Sequence, residues 1–258
     1  RGLGDVYKRQ LTDIEGTTTS VNFVYEVLFP YFSTNFKDFV ARNNDSEALK
    51  APLQATQATV LAEENRNINA SEAVEQLLAW TLEDRKHPAL KSLQGLVWQE
   101  GYKAGTLKGH LYTDVPPVLA TWKKAGLSLG IYSSGSIQAQ KLLFGSSDFG
   151  DLTPLFSHYF DTSVGNKREV TAYQNIQKEI ALPAREILFL SDIEQELDAA
   201  KSAGFQTVQL VRGNTIPSAK HKNVANFNIC ARNVAGQIAK ARNNRNNKDS
   251  GNCCCPAC

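Results

Sequence analysis

Residues Asp13-Ile14-Glu15-Gly16-Thr17 decide how this chain is read. Leu11 and Thr12 before them end an expected strand, which presents Asp13 at its carboxyl tip. Ligands of open α/β sheets bind outside such tips. Gly16 lets the chain turn sharply away. Two acids two residues apart can both line a cavity there. For five residues alone, a loop that happens to be acidic explains the pattern equally well.

Working outward, four short apolar runs bounded by turn residues read as strands: Leu127–Tyr132, His158–Asp161, Ile187–Leu190 and Thr207–Val211. Phe227–Cys230 is a candidate fifth. Helical patterns lie between them. Asp114 is placed to cap a helix whose first turn holds Pro116 and Pro117, with Val115, Leu119 and Trp122 on its apolar face. Ile193, Leu197 and Ala200 mark another face, and Gly204 suits its C-terminal stop. Strands alternating with helices predict an α/β fold with a parallel sheet covered on both faces. The stretch 21–108 reads differently. Val24, Leu28 and Phe32 share one helical spacing, Val74, Leu77, Leu78 and Leu82 a second, and Trp98 and Tyr102 a third. It reads as an all-helical cap inserted after the first strand.

Three more motifs follow strand ends. Ser133-Ser134-Gly135-Ser136 precedes a helix, and small hydroxyls at a helix N-terminus suit an anion, or simply cap the helix. Gly165-Asn166-Lys167 places a lysine where it could neutralise a phosphate, although a single lysine is more often solvated. Ser191-Asp192 offers hard oxygen ligands suited to Mg²⁺, with Glu196 four residues on and able to face the same side. Glu194 and Asp198 read as a solvated helix face.

Bulk properties narrow the class. A formal net charge of +2 over 258 residues gives no field aimed at nucleic acid or an anionic membrane. No apolar run is long enough to span a bilayer, and no signal-peptide core opens the chain. A soluble, cytoplasmic monomer is expected, with a nuclear pool conceivable in a eukaryote. The chain has no methionine, and Arg1–Gln10 (RGLGDVYKRQ) reads as a foreign segment standing in for the natural start. Tyr7, Lys8, Arg9 and Gln10 fall where a central strand needs apolar residues, so that strand is expected to be damaged. Of five cysteines, Cys253, Cys254, Cys255 and Cys258 crowd the last six residues without zinc-ligand spacing, and a spurious end is the better account. Residues 243–258 are low-complexity and expected to be disordered. The expected layout is a core of 11–20 and 109–242, a cap of 21–108, and foreign or disordered ends.

Asp13, Ser133, Lys167 and Asp192, in that order and each after a strand, resemble the four-motif arrangement of haloacid-dehalogenase-type phosphatases. Glu15 stands where most of that superfamily has Asp. With Phe23–Tyr31 (FVYEVLFPY), Leu93–Gly101 (LQGLVWQEG), Ile131–Gly145 (IYSSGSIQAQKLLFG), Tyr159–Gly165 (YFDTSVG) and Phe189–Ala200 (FLSDIEQELDAA), the chain resembles the enolase-phosphatase branch from about Leu11 to Asn214. Glu26, where that branch is expected to have Asp, and the terminal cysteines depart from it. The resemblance implies a substrate, 2,3-diketo-5-methylthiopentyl-1-phosphate, that is enolised and then dephosphorylated in methionine salvage. It implies Mg²⁺ held by Asp13, Asp192 and the main-chain carbonyl of Glu15, with Asp13 as nucleophile. Ser133, Ser134 and Lys167 would stabilise the phosphoryl oxygens, and Glu15 would act as general acid and base. The cap would close over the site, with Phe23, Phe29, Trp98 and Tyr102 shaping a thioether pocket or, on the simpler reading, packing the cap core. The rival within the superfamily is another capped phosphatase or phosphomutase on a small phosphate ester, against which Glu15 argues. A metal-free dehalogenase, a non-catalytic phosphate-binding module and a receiver domain are weaker fits.

Overall fold

The computed structural model describes residues 7–231. In chain order the elements are β1 (Arg9–Thr12), α1 (Val21–Phe23), a π-helical turn (Val24–Leu28), α2 (Phe29–Arg42), α3 (Glu47–Glu64), α4 (Ala70–Leu82) and α5 (Pro88–Ala104). There follow α6 (Val115–Lys124), β2 (Ser128–Tyr132), α7 (Ile137–Gly145), β3 (Phe156–Phe160), α8 (Val170–Ile180), β4 (Ile187–Ser191), α9 (Glu194–Ser202), β5 (Gln206–Leu210) and β6 (Lys222–Val224). The cysteine cluster, the 243–258 tail, the expected core end near residue 242 and the first six residues lie outside the described residues. Among the described residues no helix is long and apolar enough to cross a membrane.

The chain divides into two compact units. The first holds Arg1–Thr19, Leu111–Ser134 and Leu152–Cys258. It contains one parallel sheet in the order β3-β2-β1-β4-β5-β6. Strands step one way from β1 to β3 and the other way from β4 to β6. The order therefore reverses between β1 and β4, and open α/β sheets bind ligands beyond the carboxyl ends of the strands at such a reversal. Every residue of β4 is buried. Successive side chains of a strand point to opposite faces, so both faces of the sheet are covered. On one face Leu11, Tyr132 and Phe189 pack with Tyr173 and Ile176 of α8 and Leu197 of α9.

β1 corrects the expectation of a damaged first strand. It begins at Arg9, inside the segment read as foreign, and pairs with β2 on one side and β4 on the other. Backbone bonds to two neighbours hold the strand whatever its side chains. The polar residues carry the consequence. Gln10 is fully buried, and neither its Oε1 nor its Nε2 has a hydrogen-bond partner. Buried Arg9 reaches His158 Nδ1 at 2.5 Å while its Nε is unpartnered.

The candidate fifth strand is corrected too. Phe227–Cys230 is helical, because Asn226 Oδ1 accepts from Ile229 N at 3.0 Å and turns the chain into a helical start. The sheet is completed instead by β6, three residues that no pattern marked. Asp114 does stand at the N-cap of α6, but its carboxylate makes no cap bond and serves elsewhere.

The second unit holds Ser20–His110 and Gly135–Asp151. It is helical, and it includes α7, which the sequence layout placed with the core. Two glycines permit this packing. A Cβ on Gly109 would lie 2.1 Å from Leu143 O, and one on Gly95 would lie 2.9 Å from Gln138 Oε1. Phe23, Trp98 and Tyr102 are buried, and Trp98 Nε1 donates to Leu28 O at 2.9 Å. Leu82 is 84% exposed, so the α4 face ends before it.

Candidate active site

Asp13 follows β1 directly, and its N donates to Leu190 O of β4 at 2.8 Å. This pins the tip of β1 to its neighbour. Asp13 is 3% exposed. Its Oδ1 accepts from Lys167 Nζ at 2.5 Å. Lys167 lies on the loop before α8, and Tyr173 OH of α8 donates to its carbonyl at 2.7 Å. The ammonium also reaches Glu196 Oε2 at 2.8 Å, and Ser191 Oγ donates to the same oxygen at 2.9 Å. Lys167 is thus a buried bridge between two carboxylates, not a solvated lysine. Burial works against its charge, but Asp13 and Glu196 outweigh that and hold it protonated above its ordinary range.

Gly16 has φ +76°, and a Cβ there would sit 2.3 Å from Asp192 Oδ2. The bare glycine lets the Asp192 carboxylate lie against the loop that carries Asp13. Thr17 fastens this approach, since Asp192 N donates to Thr17 Oγ1 at 3.0 Å. Burial and the negative charge of Asp13 push the Asp192 carboxyl up to about 7. Burial, with Asp13 again next, also raises Glu15. Glu15 Oε2 accepts from Ser133 Oγ at 3.1 Å, while Ser133 N donates to Phe160 O of β3 at 3.2 Å. Ser133 therefore has its N–H committed to the sheet and its hydroxyl in the site. Ser134, the next residue, is half-buried. Glu194 and Asp198 pair outward with Lys220.

The five side chains Asp13, Glu15, Ser133, Lys167 and Asp192 thus gather at the carboxyl ends of the central strands. Sequence reasoning missed Glu196 as the partner of Lys167, although its spacing of four from Asp192 was the available signal. It also missed Gln209 and Arg212, for which no local signal exists, and it quoted Thr17 in the opening motif without giving it a role. Four carboxylates against one ammonium leave negative charge in excess. Burial first and the charge of Asp13 second raise the Asp192 carboxyl, and two such hard oxygen donors suit a small divalent cation. Among the described residues no three acidic, histidine or cysteine side chains form a ligand set. Carboxylates without histidine or thiolate beside them are the donors of hard cations rather than of zinc.

A reversed parallel sheet with acids at the tips of its two central strands defines a class, and a family model agrees: haloacid dehalogenase-like hydrolase matches residues 10–204. An L-2-haloacid dehalogenase of Xanthobacter autotrophicus superposes with TM-score 0.54 at 17% identity, covering 90% of this chain and 99% of that one, a likeness of fold alone. The Unknown transcript 4 protein of Saccharomyces cerevisiae superposes with TM-score 0.71 at 34% identity, over 86% of this chain and 98% of that one. Enolase-phosphatase E1 of Picosynechococcus sp. is 51% identical over 217 residues, 84% of this chain and 95% of the relative. That of Pseudomonas fluorescens is 55% identical over 203 residues, 78% and 88% respectively. The chain belongs to the haloacid dehalogenase-like hydrolases and, within them, to the enolase-phosphatase family.

Proposed function

We propose that this chain converts 2,3-diketo-5-methylthiopentyl-1-phosphate into 1,2-dihydroxy-3-keto-5-methylthiopentene and phosphate, the enolase-phosphatase step of methionine salvage. The observation that carries the reading is the pairing at the tip of β1. One carboxylate is gripped by a buried lysine, and two residues on a longer one faces a serine hydroxyl. A phosphatase needs the first as nucleophile and a second acid to protonate the leaving oxygen. A second, longer acid suits a reaction that also moves a proton from carbon.

Asp13, Asp192 and the carbonyl of Glu15 would hold Mg²⁺. When bound, the ion would offset repulsion between the substrate phosphate and the acids, and orient the phosphoryl group. Glu15 first takes a proton from the carbon beside a carbonyl, leaving an enolate whose oxygen takes a proton from water to give the enol. An Asp13 oxygen then bonds to phosphorus as the bond from phosphorus to the substrate oxygen breaks, and Glu15 returns a proton to that oxygen. A water then attacks phosphorus, Glu15 takes its proton, and Asp13 is released. Lys167 and the Ser133 hydroxyl stabilise charge on the phosphoryl oxygens, and Ser134 contributes through its main-chain N–H. Cytoplasmic action as a monomer on a freely diffusing substrate belongs to the same proposal.

Phosphate release and ultraviolet absorbance of the enol product are followed together, with Mg²⁺ and with excess EDTA. Both signals are expected, and both should vanish with the chelator. Release from generic esters without the enol product would remove the substrate assignment. Glu15→Gln is expected to abolish enolisation of a non-hydrolysable analogue, and a full rate in that variant would remove Glu15 from the first half-reaction.

A further inference from the structure

Around the reacting groups lies a set of bonds that hold the Asp192 peptide from two directions. Gln209 of β5 is 1% exposed. Its Nε2 donates to Asp192 O at 2.9 Å and to Ile216 O at 3.1 Å, while its Oε1 accepts from Ser218 N at 2.7 Å. A single buried amide therefore ties the Asp192 carbonyl to the loop after β5. From the other side, Asp192 N is held by Thr17 Oγ1. Thr17 is itself fixed, because Arg212 Nε donates to Thr17 O at 2.9 Å.

Arg212 has little freedom to let go. Its terminal nitrogens donate to both oxygens of Asp114, at 3.1 and 2.6 Å, and its guanidinium lies 4.0 Å from the Tyr112 ring centroid. A planar fork bound on two sides and stacked on a ring has a defined orientation. Its third edge then reaches the loop that carries Asp13. Stability alone would be served by the Arg212–Asp114 pair. The added bond to Thr17 couples that pair to Asp192.

We infer that Gln209 and Arg212 are positioning residues that set the Asp192 carboxylate for a divalent cation. This rests on the role proposed above for Asp192. Mg²⁺ demands near-ideal octahedral geometry and dehydrates reluctantly, so its affinity is sensitive to the aim of each carboxylate. Partners behind the ligands typically change metal affinity by about 10–100-fold.

The test is calorimetric titration of the purified protein with MgCl₂, without substrate, for wild type, Gln209→Leu and Arg212→Lys, alongside each unfolding midpoint. Arg212→Lys keeps the charge and loses the fork. Both variants are expected to bind Mg²⁺ about 10–100-fold more weakly, with the substrate KM at saturating Mg²⁺ little changed. Wild-type affinity in both folded variants would overturn the inference and leave the proposed function standing. A wild type that bound no Mg²⁺ would remove the proposed function and the inference together. Should Arg212→Lys fail to fold, Gln209→Leu decides alone.

Discussion

Gln10→Leu should make this protein more stable. Gln10 sits in the central strand, level with Leu129 on β2 and Leu188 on β4, and all three are fully buried. Its amide has a donor and an acceptor without partners. A buried polar group without a hydrogen bond costs about 1–3 kcal/mol. Leucine is of similar size and removes that penalty, while imperfect packing returns less than about 1.5 kcal/mol. A net gain of about 2 kcal/mol follows. For a chain of this length it raises the unfolding midpoint by about 4–8 °C. The assay is thermal unfolding by circular dichroism, backed by urea unfolding with an unchanged slope to show that only stability has moved. An unchanged or lowered midpoint would mean that the Gln10 amide is satisfied, and the account of β1 as a strand held by its neighbours against its own side chains would fail.

Two other outcomes follow from the geometry. Gly16→Ala places a Cβ 2.3 Å from Asp192 Oδ2 at φ +76°. It should lose at least about tenfold in phosphate release and about 1–3 kcal/mol of stability, and full activity would show that the close approach of the two loops is dispensable. Burial alone would raise the Asp114 carboxyl, but the hydrogen bonds from Arg212 and from Phe227 N outweigh it and hold it below its ordinary 3.8. A depressed carboxyl stabilises the fold above the unfolded value and loses that contribution as pH falls through the folded one. Asp114→Asn should therefore flatten the acid limb of the stability curve below about pH 4, and superimposable curves would contradict the pairing.

The order Asp13, Ser133, Lys167, Asp192 was legible in the sequence because each residue follows a strand, and strand periodicity is a local property. The apolar runs at Ile187–Leu190 and Thr207–Val211 were found for the same reason, within a residue or two of β4 and β5. β6 was missed because three residues, two of them exposed, carry no pattern. Leu82 was misplaced because spacing of three and four says which residues share a face, not where the neighbouring helix ends.

The sequence by itself determined the α/β alternation, the helical insertion and the acids, serine and lysine that meet at the strand tips, since these depend on residue type and on neighbours along the chain. Tertiary structure alone decided that Lys167 would be a buried bridge, that Asp114 would serve Arg212 rather than its own helix, and that Gln209 would hold Asp192. Each of these rests on partners tens to well over a hundred residues apart in the chain, apart from Gln209, which reaches back 17 residues. The same distance explains β1. Its residues read as unfit for a central strand, yet the parallel strands on either side supply the hydrogen bonds that a backbone must find when buried, and those are blind to the side chain.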